Sequence, residues 1–259
     1  MYSVKSLVLA SLISLPIFAA DLAPTGTLRA AFLRTNPVQG RIDAKTGAIS
    51  GPVADLTQAF AQQLKVPYTI IPAADAREII DRLKAHTADI GFLAYDAERA
   101  AEVEFSNPYA LMLNTYIVRA DSPLKKAADA DVSGLRVGVA SGVSQAFVLK
   151  ELLKKSELKV MPAPPPDQIS KMLMSGDLDA YGANRQRLVE VAAKDPKLRV
   201  LPDNFSVAEQ SLVVIKGDVS ALETLNRFIA QARTSGLVKS SLERAQLTAG
   251  VEVAPAPKR

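Results

Sequence analysis

One arginine, Arg99, has the surroundings expected of a residue that binds a small anion. It follows an apolar run that begins at Phe92 and breaks at Asp96, within the segment FLAYDAERAAEVEFSNPY. Such a run is typical of a buried strand, and the Asn-Pro pair near its end indicates a return to extended chain. A planar guanidinium pairs with a carboxylate through two parallel hydrogen bonds. The segment therefore predicts capture of an anionic small molecule in a cleft.

Residue types exclude several other kinds of site. The chain has one histidine and no cysteine, which excludes a nucleophilic triad, a histidine metal cluster, thiolate metal sites and disulfides. The histidine, His86, falls at a predicted helix end, and we interpret it as a capping or turn residue. We predict no catalytic residue, no metal site and no cofactor.

The first residues, 1–20, have the composition of a secretory signal peptide. Lys5 precedes an apolar stretch over residues 7–18, and a small pair, Ala19-Ala20, follows it. The stretch is shorter than the roughly 20 residues that a spanning helix needs. No cysteine follows it, so lipid attachment through a cysteine is excluded. We predict cleavage near Ala19 or Ala20 and a mature protein free in the periplasm, without a second membrane-spanning segment.

Composition is that of an ordinary globular protein. The 259 residues are 48% hydrophobic and 22% charged, enough for one large core or two modest ones. The formal charge is +4, and subtracting Lys5 leaves +3 for the mature chain. Because the basic residues are scattered among acidic ones, we predict a solvated surface and no nucleic-acid binding.

The elements that must position Arg99 alternate between strands and helices. This order predicts a largely parallel α/β sheet. The periodicity of the hydrophobic residues and the positions of turn-forming residues predict strands near residues 27–33, 68–71, 90–94, 111–118, 135–140, 158–161, 198–201 and 205–215. They place helices near 53–65, 75–85, 144–155 and 219–234, with a short one from Gly236. Residues 163–167 (APPPD) predict a rigid extended loop, and 251–259 a loose tail.

The two halves of the chain repeat one pattern of helix, tight turn and strand. The spacing +4, +7, +10 occurs twice, in Ile79, Leu83, His86 and Asp89 and again in Ile169, Leu173, Gly176 and Asp179. It makes Ala94 and Asn184 the equivalent ends of equivalent strands. Ligands of open α/β sheets bind at the carboxyl ends of strands, so we predict the site between these two ends.

Five segments together resemble the family 3 solute-binding proteins of ABC transporters, the polar amino acid type. They are GPVADLTQAFAQQLKV, IIDRLKAHTADIGFLA, ERAAEVEFSNPY, GLRVGVASG and MLMSGDLDA, and the similarity covers residues 27–248. The resemblance implies a two-lobed type II periplasmic binding fold with two hinge crossings, near residues 110–115 and 208–212, and an interlobe ligand cleft. It implies one lobe from residues 21–110 with 212–250 and another from 111–211.

The resemblance also implies roles for individual residues. Arg99 matches the arginine that pairs with the ligand carboxylate in this family; the alternative is a surface arginine paired with Glu98 or Glu102. Residues 141–144 look like a second carboxylate contact at a helix start, and a helix cap can serve both purposes. The ligand-binding residues predicted are Arg34, Asn36, Ala94, Arg99, Gly142, Ser144, Asn184 and Arg185.

Departures from the family pattern change the expected solute. Amino acid binders usually have an aspartate, which pairs with the ligand ammonium, where this chain has Asn184. They tend to have Ser or Thr in place of Ala94 and an aromatic residue near 36–38, where none occurs, and the nearby cations are Arg34 and Arg185. We therefore expect an organic acid or an atypical amino acid.

The resemblance implies a monomeric periplasmic component of an ABC importer. We expect its cleft to close on an anionic or zwitterionic solute, and the closed form to be read by a permease in the inner membrane. One alternative is an enzyme on the same fold, such as a dehydratase of a cyclic, prephenate-like acid. The acid and the amide to consider for catalysis are then Glu209 and Gln210. Another alternative is a sensory input module. The lack of a downstream transmembrane or kinase segment counts against it.

Overall fold

The structure, a computed structural model, describes residues 22–257. The predicted signal peptide, residues 1–20, lies outside the described residues. The helices are α1 Pro52–Leu64, α2 Ala76–Lys84, α3 Ala97–Ala100, α4 Ser144–Leu152, α5 Pro166–Ser175, α6 Arg185–Ala192, α7 Val219–Thr234 and α8 Leu237–Arg244. The strands are β1 Leu28–Leu33, β2 Arg41–Ile42, β3 Ile49–Ser50, β4 Tyr68–Ala73, β5 Ile90–Ala94, β6 Val103–Phe105, β7 Ala110–Arg119, β8 Arg136–Ala140, β9 Glu157–Met161, β10 Ala180–Asn184, β11 Leu198–Val200, β12 Ser206–Ile215 and β13 Val251–Val253.

Apolar spacing explains where the helices form. In α1, Val53, Leu56, Phe60 and Leu64 are buried on one face, Pro52 occupies the first turn, and the left-handed Lys65 ends the helix. In the part of the chain that the structure describes, no helix is long and apolar enough to cross a membrane.

The main sheet consists of two half-sheets joined through two long strands. Its order is β4-β1-β5-β12-β7-β10-β8-β9, with β6 beside β12 and with β11 and β13 beside β7. In the first half, β1 runs parallel to β4 and β5; in the second, β8 runs parallel to β9 and β10. We call the first half-sheet, with α1, α2, α3, α7 and α8, the first lobe, and the second half-sheet, with α4, α5 and α6, the second lobe.

The strands β7 and β12 connect the lobes. Each has ten residues, and residues 110–114 of β7 pair antiparallel with residues 206–210 of β12. Beyond this segment, β12 continues beside β5 in the first lobe and β7 continues beside β10 in the second. The antiparallel pair therefore connects the lobes covalently and through hydrogen bonds, at the place where the hinge crossings were predicted.

The hydrophobic core follows the same division. Two clusters of buried residues come from 22–112 and 212–251, and two come from 116–201. Each lobe thus has its own core, as the composition allowed. The exact lobe limits given above, 21–110 with 212–250 and 111–211, stay predictions.

The repeat seen in the sequence corresponds to one hydrogen-bonding unit present in each lobe. The Asp89 carboxylate accepts hydrogen bonds from the backbone and guanidinium of Arg29, and Asp179 accepts the same set from Arg136. Burial raises the pKa of Asp179, but the bonds from Arg136 outweigh burial and hold its pKa below the usual value. These pairs fix β5 beside β1 and β10 beside β8. They align the two strand ends, Ala94 and Asn184, that the repeat made equivalent.

Two local predictions were wrong. The extended loop of residues 163–167 ends at Pro165, because Pro166 lacks a backbone donor and suits the first turn of α5. Residues 251–259 are not loose throughout, because β13 pairs with β7 and both Val251 and Ala254 are buried. The Ala254 backbone N–H also donates to the Tyr109 carbonyl at 3.1 Å.

Candidate functional site

A cleft of about 290 Å³ lies between the lobes. Its first wall comes from the segment after β1 and the end of β5, and its second wall from the start of α4 and from β10 with α6. Six of the eight predicted site residues line it, namely Asn36, Ala94, Arg99, Gly142, Ser144 and Asn184. The residues that line it without having been predicted include Thr35, Val38, Met112, Gln145, Tyr181, Gln186, Arg187 and Glu190.

Arg99 reaches the cleft from the short helix α3. The side chain of Asp96 caps this helix by accepting from the Glu98 and Arg99 backbone N–H groups at 3.0 and 3.1 Å. The Arg99 Nη1 donates to the Ala94 carbonyl at 3.2 Å. The alternative pairing with Glu102 does not occur, since Glu102 binds Arg77 and Lys84. Among the described residues Arg99 has no carboxylate partner, so its charge is available to a ligand.

The start of α4 adds free backbone donors opposite Arg99. Its N-cap is Val143, and no side chain of residues 22–257 caps the first turn. The first N–H groups of a helix have no intrahelical partner and carry the positive end of the helix dipole. Gly142 and Ser144 line the cleft beside them, so this turn presents donors to an anion in the cleft.

Asn184 has one amide atom committed and one without a partner. Its Oδ1 caps α6 by accepting from the Arg187 backbone N–H at 3.3 Å. Because this bond requires an acceptor, the other amide atom is the Nδ2 donor. That Nδ2 is buried and has no hydrogen-bond partner among the described residues. The second wall therefore offers a neutral donor where an ammonium ligand would need a carboxylate.

Two predicted site residues, Arg34 and Arg185, are not among the described residues that line the cleft, and their part in ligand binding stays a prediction. Arg34 is exposed, and its charge acts on Glu78 of α2. The Arg185 guanidinium donates to Asn204 Oδ1 and to the carbonyls of Pro202 and Asp203. The loop before β12 thereby occupies its donors and holds it away from the ligand side of α6.

Arg187 takes the place that was predicted for Arg185. It lies three residues after Asn184, one turn along the same face of α6, and this spacing is the signal that could have identified it. Its Nη2 donates to the carbonyl of Pro164 before α5. Tyr181 lines the same wall, and its buried hydroxyl has no hydrogen-bond partner among the described residues. Burial raises the pKa of Tyr181 and the Arg187 charge partly offsets this, so the phenol stays protonated at neutral pH.

Glu190 is the one carboxylate among the described cleft residues, and the sequence prediction missed it. Its Oε1 lies 3.5 Å from Arg41 Nη2 of the first lobe and accepts from Gln186 Nε2 at 3.1 Å. The pair with Arg41 joins the lobes at the edge of the cleft. The Oε1 of Gln186 is buried and has no hydrogen-bond partner within the described part of the chain. Within residues 22–257 no group of three or more His, Cys, Asp or Glu side chains could hold a metal ion.

Comparison with known proteins identifies the architecture. The family model described as "Bacterial extracellular solute-binding proteins, family 3" matches residues 28–245, most of the chain. None of the curated proteins with which the sequence was compared matches it. The mixed α/β fold, with its curled sheet, is the type II periplasmic binding fold.

Solved structures with low sequence identity share this fold. An amino acid ABC transporter substrate-binding protein, AbpA from Streptococcus pneumoniae, bound to L-arginine, is 20% identical, with 88% of this chain and 98% of that chain covered and a TM-score of 0.68. A Gly52Ala mutant of arginine-bound ArgBP from T. maritima is 23% identical, with 82% and 99% covered and a TM-score of 0.63. An ancestral amino acid-binding protein, AncCDT-1, described as a precursor of cyclohexadienyl dehydratase, is 24% identical, with 87% and 97% covered and a TM-score of 0.68.

Proposed function

The chain belongs to the bacterial extracellular solute-binding proteins of family 3, and we propose that it is the solute-binding component of an ABC importer. It captures a small carboxylate-bearing solute in the periplasm and delivers it to a permease in the inner membrane. The family, the two-lobed fold and the composition of residues 1–20 support this proposal. The protein acts as a monomer, because closure about β7 and β12 needs no second chain.

Arg99 is the observation that carries the proposal. Its guanidinium lines the cleft, contacts only one backbone carbonyl through Nη1, and has no carboxylate partner among the described residues. A hydrogen bond between charged groups contributes on the order of 1.5 to 3 kcal/mol. The uncapped start of α4 completes the site with backbone donors. Together they bind one carboxylate between the lobes.

The solute is an organic acid or an atypical amino acid. Relatives with the same fold are described with bound arginine, and such a zwitterion has an α-ammonium as well as a carboxylate. Here the second wall has the Asn184 amide, and the cleft carboxylate, Glu190, already pairs with Arg41. An obligatory ammonium therefore has no free acidic partner among the described cleft residues.

Mass spectrometry of solute that copurifies with the protein, followed by thermal-shift measurements with acids and amino acids, tests the proposal. We expect Arg99→Gln to weaken acid binding by at least tenfold, the loss of one charge-assisted contact. Arg82→Gln removes an equal charge on α2, outside the cleft lining, and should bind as the wild type does. A clear preference of the wild type for common α-amino acids would contradict the proposed solute class.

A dehydratase is the second candidate, and Glu190 is the observation in its favour. The two residues predicted as acid and amide do not serve, because Glu209 is exposed outside the cleft and Gln210 is a buried neighbour of Gln39. Glu190 is a cleft carboxylate, as general acid catalysis requires. Incubation with a prephenate-like cyclic acid decides the matter: turnover that Glu190→Gln removes would establish an enzyme.

A further inference from the structure

We propose that the cleft takes a solute with two anionic groups, one at Arg99 and the other at a second anion subsite formed by Arg187, Tyr181 and Asn184 on the opposite wall. This inference rests on the proposed function, since it specifies which acids the cleft accepts.

Arg187 carries a charge that no described residue neutralises. One of its guanidinium nitrogens donates to the Pro164 carbonyl, which positions the group, and no ion pair to it occurs within residues 22–257. Glu190 follows three residues later on the same helix but pairs with Arg41 and Gln186 instead. The remaining guanidinium donors of Arg187, on a cleft-lining side chain, are therefore available to an anion.

Two further donors on this wall lack partners. The Tyr181 hydroxyl and the Asn184 Nδ2 are both buried, and neither makes a hydrogen bond within the described chain. Tyr181 is fully buried and near enough to Arg187 for the arginine's charge to act on its hydroxyl. Buried donors without acceptors cost free energy, and an anionic oxygen beside Arg187 would relieve that cost. One unpaired acceptor, the Gln186 Oε1, is also present and suits a hydroxyl of the solute.

Charge balance then indicates a dianion. Of the three charged side chains among the described cleft residues, Glu190 is paired with Arg41, which leaves the charges of Arg99 and Arg187. A monoanion would neutralise one of them and leave the other uncompensated in a closed, poorly solvated cleft. Because Arg99 belongs to the first lobe and Arg187 to the second, a dianion also links the lobes and favours closure.

Calorimetric titration of a series of linear diacids, from malonate to adipate, against their half-amides tests the inference. A half-amide keeps the size of its diacid and lacks one charge. We expect the wild type to bind at least one diacid roughly ten- to a hundredfold more tightly than its half-amide, the range of one charge-assisted contact. Arg187→Gln should abolish that preference while leaving half-amide binding nearly unchanged. Arg99→Gln should weaken both.

Lys171→Gln is the matched control, because it also removes one positive charge from the second lobe. The Lys171 side chain is exposed and far more accessible than that of Arg187. It should leave both affinities unchanged. Equal wild-type affinity for diacids and half-amides would overturn the inference and leave the proposed function standing, and so would a diacid preference that survives Arg187→Gln. Binding of common α-amino acids with no acid bound would overturn the proposed solute class, on which the inference rests. The wild-type comparison decides the question even if the variant does not fold.

Discussion

At the scale of single residues, the hydrogen-bond and ion-pair partners of an arginine decide whether its charge is available to a ligand. Arg185 and Arg187 are two positions apart on α6, yet Arg185 is bound by Asn204 and two carbonyls while Arg187 lines the cleft. Arg99 is likewise free of carboxylates among the described residues because Glu102 is committed to Arg77 and Lys84. Equal charges in the sequence thus have unequal availability to a ligand.

Asn184 is the residue at which the expected solute class can be changed. Asn184→Asp keeps an oxygen acceptor for the cap of α6 but replaces the free Nδ2 donor with a negative charge. We expect acid affinity to fall roughly tenfold or more and α-amino acid binding to increase, because the new carboxylate repels one ligand and pairs with the other. Titration with an acid and an α-amino acid measures both changes.

Asn204→Asp is the control for this change, since Asn204 lies against Arg185 outside the cleft. It adds the same charge to the second lobe and should alter neither affinity. Unchanged acid binding in Asn184→Asp would show that the amide does not contact the solute.

At the scale of elements, the carboxyl-terminal segment connects the lobes a third time. The strand β13 pairs with residues 110–112 of β7, and the Leu113 backbone N–H donates to the Gly250 carbonyl at 2.9 Å. Gly250 also lies against the start of α6, where a Cβ atom would be only 2.2 Å from the Gln186 nitrogen. The segment therefore supports the helix that carries Asn184 and Arg187.

Gly250→Ala should disturb that support. The added methyl group cannot fit beside the Gln186 backbone, so either β13 or α6 must shift, at a cost of about 1–3 kcal/mol in the free energy of unfolding. We expect a lower melting temperature together with weaker solute binding, measured by calorimetry of folding and of binding. Glu252→Ala changes an exposed side chain of the same strand and should be nearly neutral. Wild-type stability in Gly250→Ala would mean that the contact is looser than described.

At the scale of the whole molecule, we propose that the lobes open and close about the strands that join them. The lobes have separate cores, whereas the pair of β7 and β12 is continuous between them. The Arg41–Glu190 pair is the ion pair that we find across the cleft within the described residues. Since both side chains are about half exposed, we expect this pair to adjust closure and not to determine it.

Closure can be measured by small-angle X-ray scattering. We expect the radius of gyration to fall when the solute is added to the wild type. Arg41→Gln should reduce solute affinity by no more than about fivefold, because exposed ion pairs contribute about 0–1 kcal/mol. The effect should diminish as salt is raised, since ions screen exposed charges. Adding Glu190→Gln to Arg41→Gln should cause little further loss. A much larger loss would mean that Arg41 contacts the solute.

The sequence by itself determined the fold class and most element positions, and it predicted that Arg99 lies in the cleft. The buried faces of helices and strands have regular spacings in the sequence. The spacing that repeats Asp89 as Asp179 also lies within short segments, and the two carboxylates make the same hydrogen bonds. Both patterns can therefore be recognised from neighbouring residues. Only the tertiary structure selected Arg187 over Arg185 and paired Glu190 with Arg41. It also added β13 to β7. The Arg41–Glu190 ion pair and the pairing of β13 with β7 join residues more than a hundred positions apart, for which neighbouring residues provide no signal, whereas the choice of Arg187 depends on which face of α6 lines the cleft.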